Sequence, residues 1–122
     1  MNAEIKKVTE RIVQIPHDFN TVKNKSTITL LKESGYYDFY EQITVDEIVE
    51  ILKGKPHLIS EWLQWSDDQR STPTTYFSKG EEGCFIGHNP YDKDFKEVNT
   101  KDEFLACASF IKLQVEKIRS QN

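Results

Sequence analysis

The stretch Trp62-Leu-Gln-Trp65-Ser-Asp67-Asp68-Gln-Arg70-Ser-Thr-Pro73-Thr-Thr-Tyr76-Phe-Ser-Lys79-Gly80-Glu81-Glu82-Gly83-Cys84-Phe-Ile-Gly-His88 changes its periodicity midway, and the change decides the fold. Before it, Leu58, Ile59, Trp62 and Leu63 recur at the spacing of one helical face. Pro73 forbids further helix, and the β-branched and aromatic residues from Thr74 to Lys79 read as a strand. Gly80-Glu81-Glu82-Gly83 is the turn, and Cys84-Phe85-Ile86 is the returning strand. A two-stranded hairpin is marginal in water, so it needs a third strand or a covering helix.

Both are expected downstream. Residues 95–98 read as the third strand, and Thr100-Lys-Asp-Glu103 as a capping box opening a long helix over 101–119. Phe104, Cys107, Ala108, Ile111, Val115 and Ile118 form the apolar face of that helix. Upstream, Ile5, Val8 and Ile12 mark an amphipathic helix that Pro16 is expected to end. Asp18 or Ser26 can cap a second helix carrying Val22, Ile28, Leu30 and Leu31 and stopping at Gly35, with Tyr36 to Tyr40 as a connector. Thr44-Val-Asp-Glu47 is another capping box, its helix closing at Gly54, and Pro56 is placed to start the next one. The expected class is α+β: N-terminal helices, a small antiparallel sheet (a hairpin over about 74–88 plus 95–98), and a long C-terminal helix. All of it forms one domain over residues 1–122.

A chain of 122 residues can bury roughly two-thirds of its unfolded surface, so it needs no metal or disulfide staple. Cys84 and Cys107 are far apart, and the charged segment Glu4 to Arg11 lacks the apolar run of a signal peptide. A reducing cytoplasm with two buried thiols is the expectation, and no apolar run approaches a membrane span. Net charge is −4, and residues 61–103 hold ten acids against five bases. Such a surface repels phosphate backbones and attracts cationic ones, which disfavours nucleic acid and favours a basic protein as partner.

Chemistry-bearing groups are sparse. Cys84 and His88 lie i, i+4 on a strand, too far apart for proton transfer, and with Asp92 they make a poor zinc set. Asp67 and Asp68 diverge on a helix and do not converge on one substrate atom, while Asp67 can pair with Arg70 at i, i+3. The glycines at 80, 83 and 87 lead into no helix, so no phosphate-cradling loop is present. The chain therefore reads as a binding module, not an enzyme, with no cofactor and no metal. Its partner-binding residues are expected to be Trp65, Asp67, Asp68, Arg70, Tyr76, Glu81 and Glu82. Trp65, at the edge of its helical stripe, would keep its N–H wet and anchor the partner.

Asp68-Gln-Arg70-Ser71 followed by Thr75-Tyr76-Phe77 resembles an acidic-Arg-Ser motif and aromatic strand in small uncharacterised bacterial proteins. The likeness spans about residues 44–119, with Thr74-Thr75 standing where Gly-Trp would be expected. Families of this size and acidity include immunity proteins that neutralise a neighbouring toxin, and the resemblance allows that role. Two other readings stay open: a small-molecule or regulatory domain with a pocket between sheet and C-terminal helix lined by Tyr76, Phe85 and Phe110, and a hydrolase using His57 or His88.

Overall fold

The computed structural model describes residues 3–21, 25–67, 75–88 and 98–121. Among them are six helices, then three strands, then a seventh helix, which makes the fold α+β as the periodicity implies.

Helix α1 (Ala3–Val13) buries Val8, Ile12 and Val13. It ends before Pro16, as expected, because the proline has no N–H for the Ile12 carbonyl. The break falls at Gln14, and Pro16 sits in the first turn of α2 (Ile15–Thr21), where its fixed φ suits the helix and its missing N–H costs nothing. Ser26 caps α3 (Thr27–Ser34), its Oγ accepting from the Thr29 amide at 3.1 Å. Gly35 ends that helix with φ +92°, and a Cβ there would stand 3.2 Å from Val8 Cγ2, so the turn and the approach to α1 both need glycine. The expected connector after it is a single helical turn, α4 (Tyr36–Phe39), with Tyr36 fully buried.

Thr44 accepts from the Glu47 amide at 3.3 Å and starts α5 (Val45–Gly54). The Pro56 break is a turn closed by Leu58 N donating to Lys55 O at 3.1 Å, so α6 (Leu58–Asp67) starts two residues later than the proline suggests. Trp62 is 1% exposed on α6, and its Nε1 donates to the Val13 carbonyl at the end of α1 at 2.8 Å.

Strands β1 (Thr75–Gly80), β2 (Gly83–His88) and β3 (Val98–Thr100) form an antiparallel sheet in that order. Phe77 pairs with Ile86 and Lys79 with Cys84, then Cys84 with Thr100 and Ile86 with Val98. Strand alternation therefore sends Phe77, Cys84 and Ile86 to the core and leaves Ser78 and Phe85 on the other face. The third strand starts at the last residue of the expected 95–98, and residues 95–97 lie outside those described.

Helix α7 (Glu103–Gln121) starts two residues later than expected because Thr100 stays in β3. Asp102 is the real cap, accepting from Phe104 N at 3.0 Å and Leu105 N at 3.2 Å. Glu103 does not close a box back to Thr100 but pairs with Lys79 of the hairpin. The buried face of α7 is also wider than one stripe: Ala106, Cys107, Ala108, Phe110, Ile111 and Val115 are all buried, while Phe104 and Ile118 are only partly so. The cause is position, since α7 touches α1, α3, α5 and α6 on one side and all three strands on the other. The core is continuous from helices to sheet: Phe77 to Phe110 (5.6 Å between ring centroids), Phe110 to Trp62 (6.0 Å), Trp62 to Trp65 (6.0 Å), and Trp65 to Phe19 at the surface (5.4 Å).

A second device ties α4 to α7. The Tyr36 hydroxyl donates to Glu116 Oε1 at 2.8 Å, Lys112 Nζ donates to Tyr36 Oη at 2.8 Å and to the Tyr40 carbonyl at 2.7 Å, and Arg119 Nε donates to Glu116 Oε2 at 2.7 Å. The Arg119 guanidinium also covers the Tyr40 ring at 3.7 Å. Burial, then the bond to Glu116, pushes the Tyr36 phenol far above its usual range, and burial lowers Lys112. Burial would raise Glu116, but hydrogen bonds from Tyr36 and Arg119 together with the Lys112 charge outweigh it and hold the carboxyl below its usual value. A depressed carboxyl stabilises the fold above the unfolded-state value of about 4.3 and loses that contribution as pH falls through the folded value. Glu116→Gln is therefore expected to lower the urea midpoint clearly at pH 6, with the difference from wild type shrinking toward pH 3. A gap that stays constant with pH would show that the carboxylate charge is not what matters.

Candidate functional site: the acidic hairpin tip and its aromatic flank

The tip is built by its glycines. Gly80 pairs with Gly83 across the two-residue connection Glu81-Glu82, and both acids are exposed. Gly83 has φ +128°, and a Cβ there would come within 3.0 Å of Asn99 Oδ1 and of the Thr100 carbonyl. No other residue fits, because the conformation and the closeness of β3 both exclude a side chain. The turn is thus held against the third strand, and the two carboxylates project from a fixed backbone.

Around the tip, Lys79, Gly80, Glu81, Glu82, Gly83, Cys84, Lys101 and Glu103 line an open groove of about 320 Å³. Lys79 is bonded to Glu103, and that bond raises its pKa. Its charge is therefore committed to the first turn of α7, where Glu103 also meets the positive helix end. Cys84 is buried at the back of the groove. Burial, then the neighbouring Glu103 charge, raises its pKa, so the thiol stays protonated. Cys107 is buried completely, and burial raises it strongly as well. Strand β2 is paired without interruption to His88, so Cys84 and His88 remain about 13 Å apart along it. Among the described residues, no group of three or more His, Cys, Asp or Glu is placed to hold a metal ion. No helix among them is long and apolar enough to cross a membrane.

Of the residues singled out from the sequence, Glu81 and Glu82 come together at the tip, and Trp65 lies apart from them near the end of α6. Ser66 links the two regions, its Oγ accepting from the Phe77 amide of β1 at 2.8 Å. The expectation that Trp65 keeps its N–H wet is corrected: the ring is half-buried, and Nε1 is buried with no hydrogen-bond partner among the described residues. What reaches solvent is Phe19, 45% exposed and set edge-on against the Trp65 ring at 83° between planes. Asp68 and Arg70, and the side chains of Asp67 and Tyr76, lie outside the described residues. So do Asp92 and the His88 side chain.

The pocket expected between the sheet and α7 is not formed by Phe85 and Phe110. Phe110 is fully buried against Phe77 and Trp62, while Phe85 pairs with Ser78 and Asn99 on the opposite face. Sequence reasoning missed Phe19 and the Lys79–Glu103 bond. No local signal marks either one, since a lone Phe in a short helix and a lysine beside a turn acquire their roles only when α6 and α7 pack.

No family model, curated protein or solved structure matches this chain.

Proposed function

We propose that the protein is a small acidic module that binds a basic protein, in the manner of an immunity protein occluding a toxin. The observation that supports this reading best is the commitment of Lys79 to Glu103, which leaves Glu81 and Glu82 facing solvent on a rigid turn with Lys101 as the remaining cation of the groove. Exposed carboxylates of this kind steer a cationic surface during encounter, and the backbone that carries them is already ordered before binding. The Phe19–Trp65 pair supplies apolar area of the kind that anchors a complex once formed.

The test uses the copurifying basic protein, or the product of the adjacent gene, titrated against the full chain. Glu81→Gln with Glu82→Gln is expected to slow association several-fold and to flatten its dependence on salt between about 50 and 300 mM, because screening acts within a Debye length of about 8 Å near 0.15 M. Phe19→Ala is expected to speed dissociation. An affinity indifferent to salt, to both acids and to Phe19 would end this reading.

A further inference from the structure

We infer that the groove between the α1–α2 junction and the α5–α6 turn is a binding site for a small oxyanion of the phosphate or carboxylate type. Gln14, His17, Lys55, His57 and Leu58 line it, around a volume of about 210 Å³. That is room for roughly seven waters, enough for a tetrahedral or planar anion with part of its hydration shell. On a chain of net charge −4, the lining contains a lysine, two imidazoles and a carboxamide, and no acid.

These groups are available. Among the described residues, the side chains of Gln14, Lys55 and His57 have no hydrogen-bond or ion-pair partner. His17 Nδ1 stands 3.3 Å from Glu61 Oε1, and in the neutral tautomer that donates Nδ1–H to this carboxylate Nε2 is an acceptor, suited to the O–H of a protonated phosphate and not to a bare anionic oxygen. Glu61 does not line the groove; its Oε1 meets the His17 imidazole, while its Oε2 is buried with no hydrogen-bond partner among the described residues. The groove borders the N-terminal end of α6 but also the C-terminal ends of α1 and α5, so helix dipoles give it no net positive field and the charge comes from Lys55. The first amides of α6 do not take part, because Leu58 N and Ile59 N already donate to the carbonyls of Lys55 and Pro56. Recognition therefore falls to the side chains: the Lys55 ammonium supplies charge, and the Gln14 carboxamide and the His57 imidazole supply directed donors. Gln14 also borders a second groove lined by Lys7, Glu10 and Arg11, whose formal charge is +1.

The site is separate from the hairpin tip, and its failure leaves the protein-binding reading untouched. The experiment is a two-dimensional ¹H–¹⁵N NMR titration of the full chain with inorganic phosphate and, separately, with acetate, at constant ionic strength against chloride. Saturable millimolar shifts are expected at Gln14, His17 and Lys55 to Leu58 with at least one anion; saturation by phosphate alone or by acetate alone assigns the class. Lys55→Ala with His57→Ala is expected to weaken binding by about ten-fold or more, with an unchanged thermal midpoint. Shifts that match the chloride control, never saturate, or survive the double substitution in a folded protein would overturn the site.

Discussion

Trp62→Ala is expected to lower the unfolding free energy by about 3–5 kcal/mol in urea melts at neutral pH. The indole is 1% exposed, lies edge-on to Phe110 and is tilted against Trp65, so truncation opens a cavity where helices and sheet meet. It also removes the hydrogen bond to the Val13 carbonyl, leaving a helix-terminal acceptor buried without its donor. Against a typical total of about 5–15 kcal/mol, that loss is between about a fifth and all of the stability. Trp62→Phe separates the contributions: it keeps most of the ring area and loses the N–H, so about 1–2 kcal/mol is expected. A cost below about 1 kcal/mol for the alanine variant would mean that the interface collapses around the gap and that Trp62 is not its keystone.

The sequence was most legible where one local pattern carried the information. Period-3.6 spacing around Trp62 and the glycine pair about Glu81-Glu82 are each sufficient alone, and the helix and the hairpin follow, while Pro73 lies outside the described residues. Boundaries failed where two signals competed. Thr100 could cap α7 or extend the sheet, and pairing with Cys84 won, so Asp102 took over the cap and Glu103 was free to reach Lys79. Pro16 does two things where one was expected: α1 ends before it, and it sits in the first turn of α2. The α7 stripe was under-read because periodicity assumes one buried face, whereas this helix is covered on two sides and buries Phe110 as well as Ile111.

The polar tie between Tyr36, Lys112, Glu116 and Arg119 left a partial trace in the Lys112–Glu116 and Glu116–Arg119 spacings, which are those of ion pairs on one helix. Its partner on α4 was invisible, since nothing local says that a tyrosine 80 residues away packs there. The candidate site was legible in the same uneven way. Two adjacent acids between glycines announce an exposed tip, but the pairing of Lys79 and the burial of the Trp65 N–H depend on packing.

Phe110→Ala should also cost about 3–5 kcal/mol, and its coupling to Trp62 carries more information than its size. Phe110 is the ring that joins Phe77 of the hairpin to Trp62 of the helices, and it is fully buried. Once either ring is gone, removing the other enlarges a cavity that already exists, so the double variant should lose clearly less than the sum of the singles. Additivity within about 0.5 kcal/mol would instead describe two independent packing sites. The same variant tests how the tip is held. Strands β1 and β2 dock on α7 through Phe77, Cys84 and Ile86, and with Phe110 gone the amides of Phe77 and Ile86 should lose hydrogen-exchange protection well before those of α5. Glu81 and Glu82 are untouched by the substitution. If their value to a partner lies in being presented on a rigid turn, dissociation should nevertheless quicken in Phe110→Ala; an unchanged dissociation rate beside a loosened hairpin would show that the acids act through charge alone.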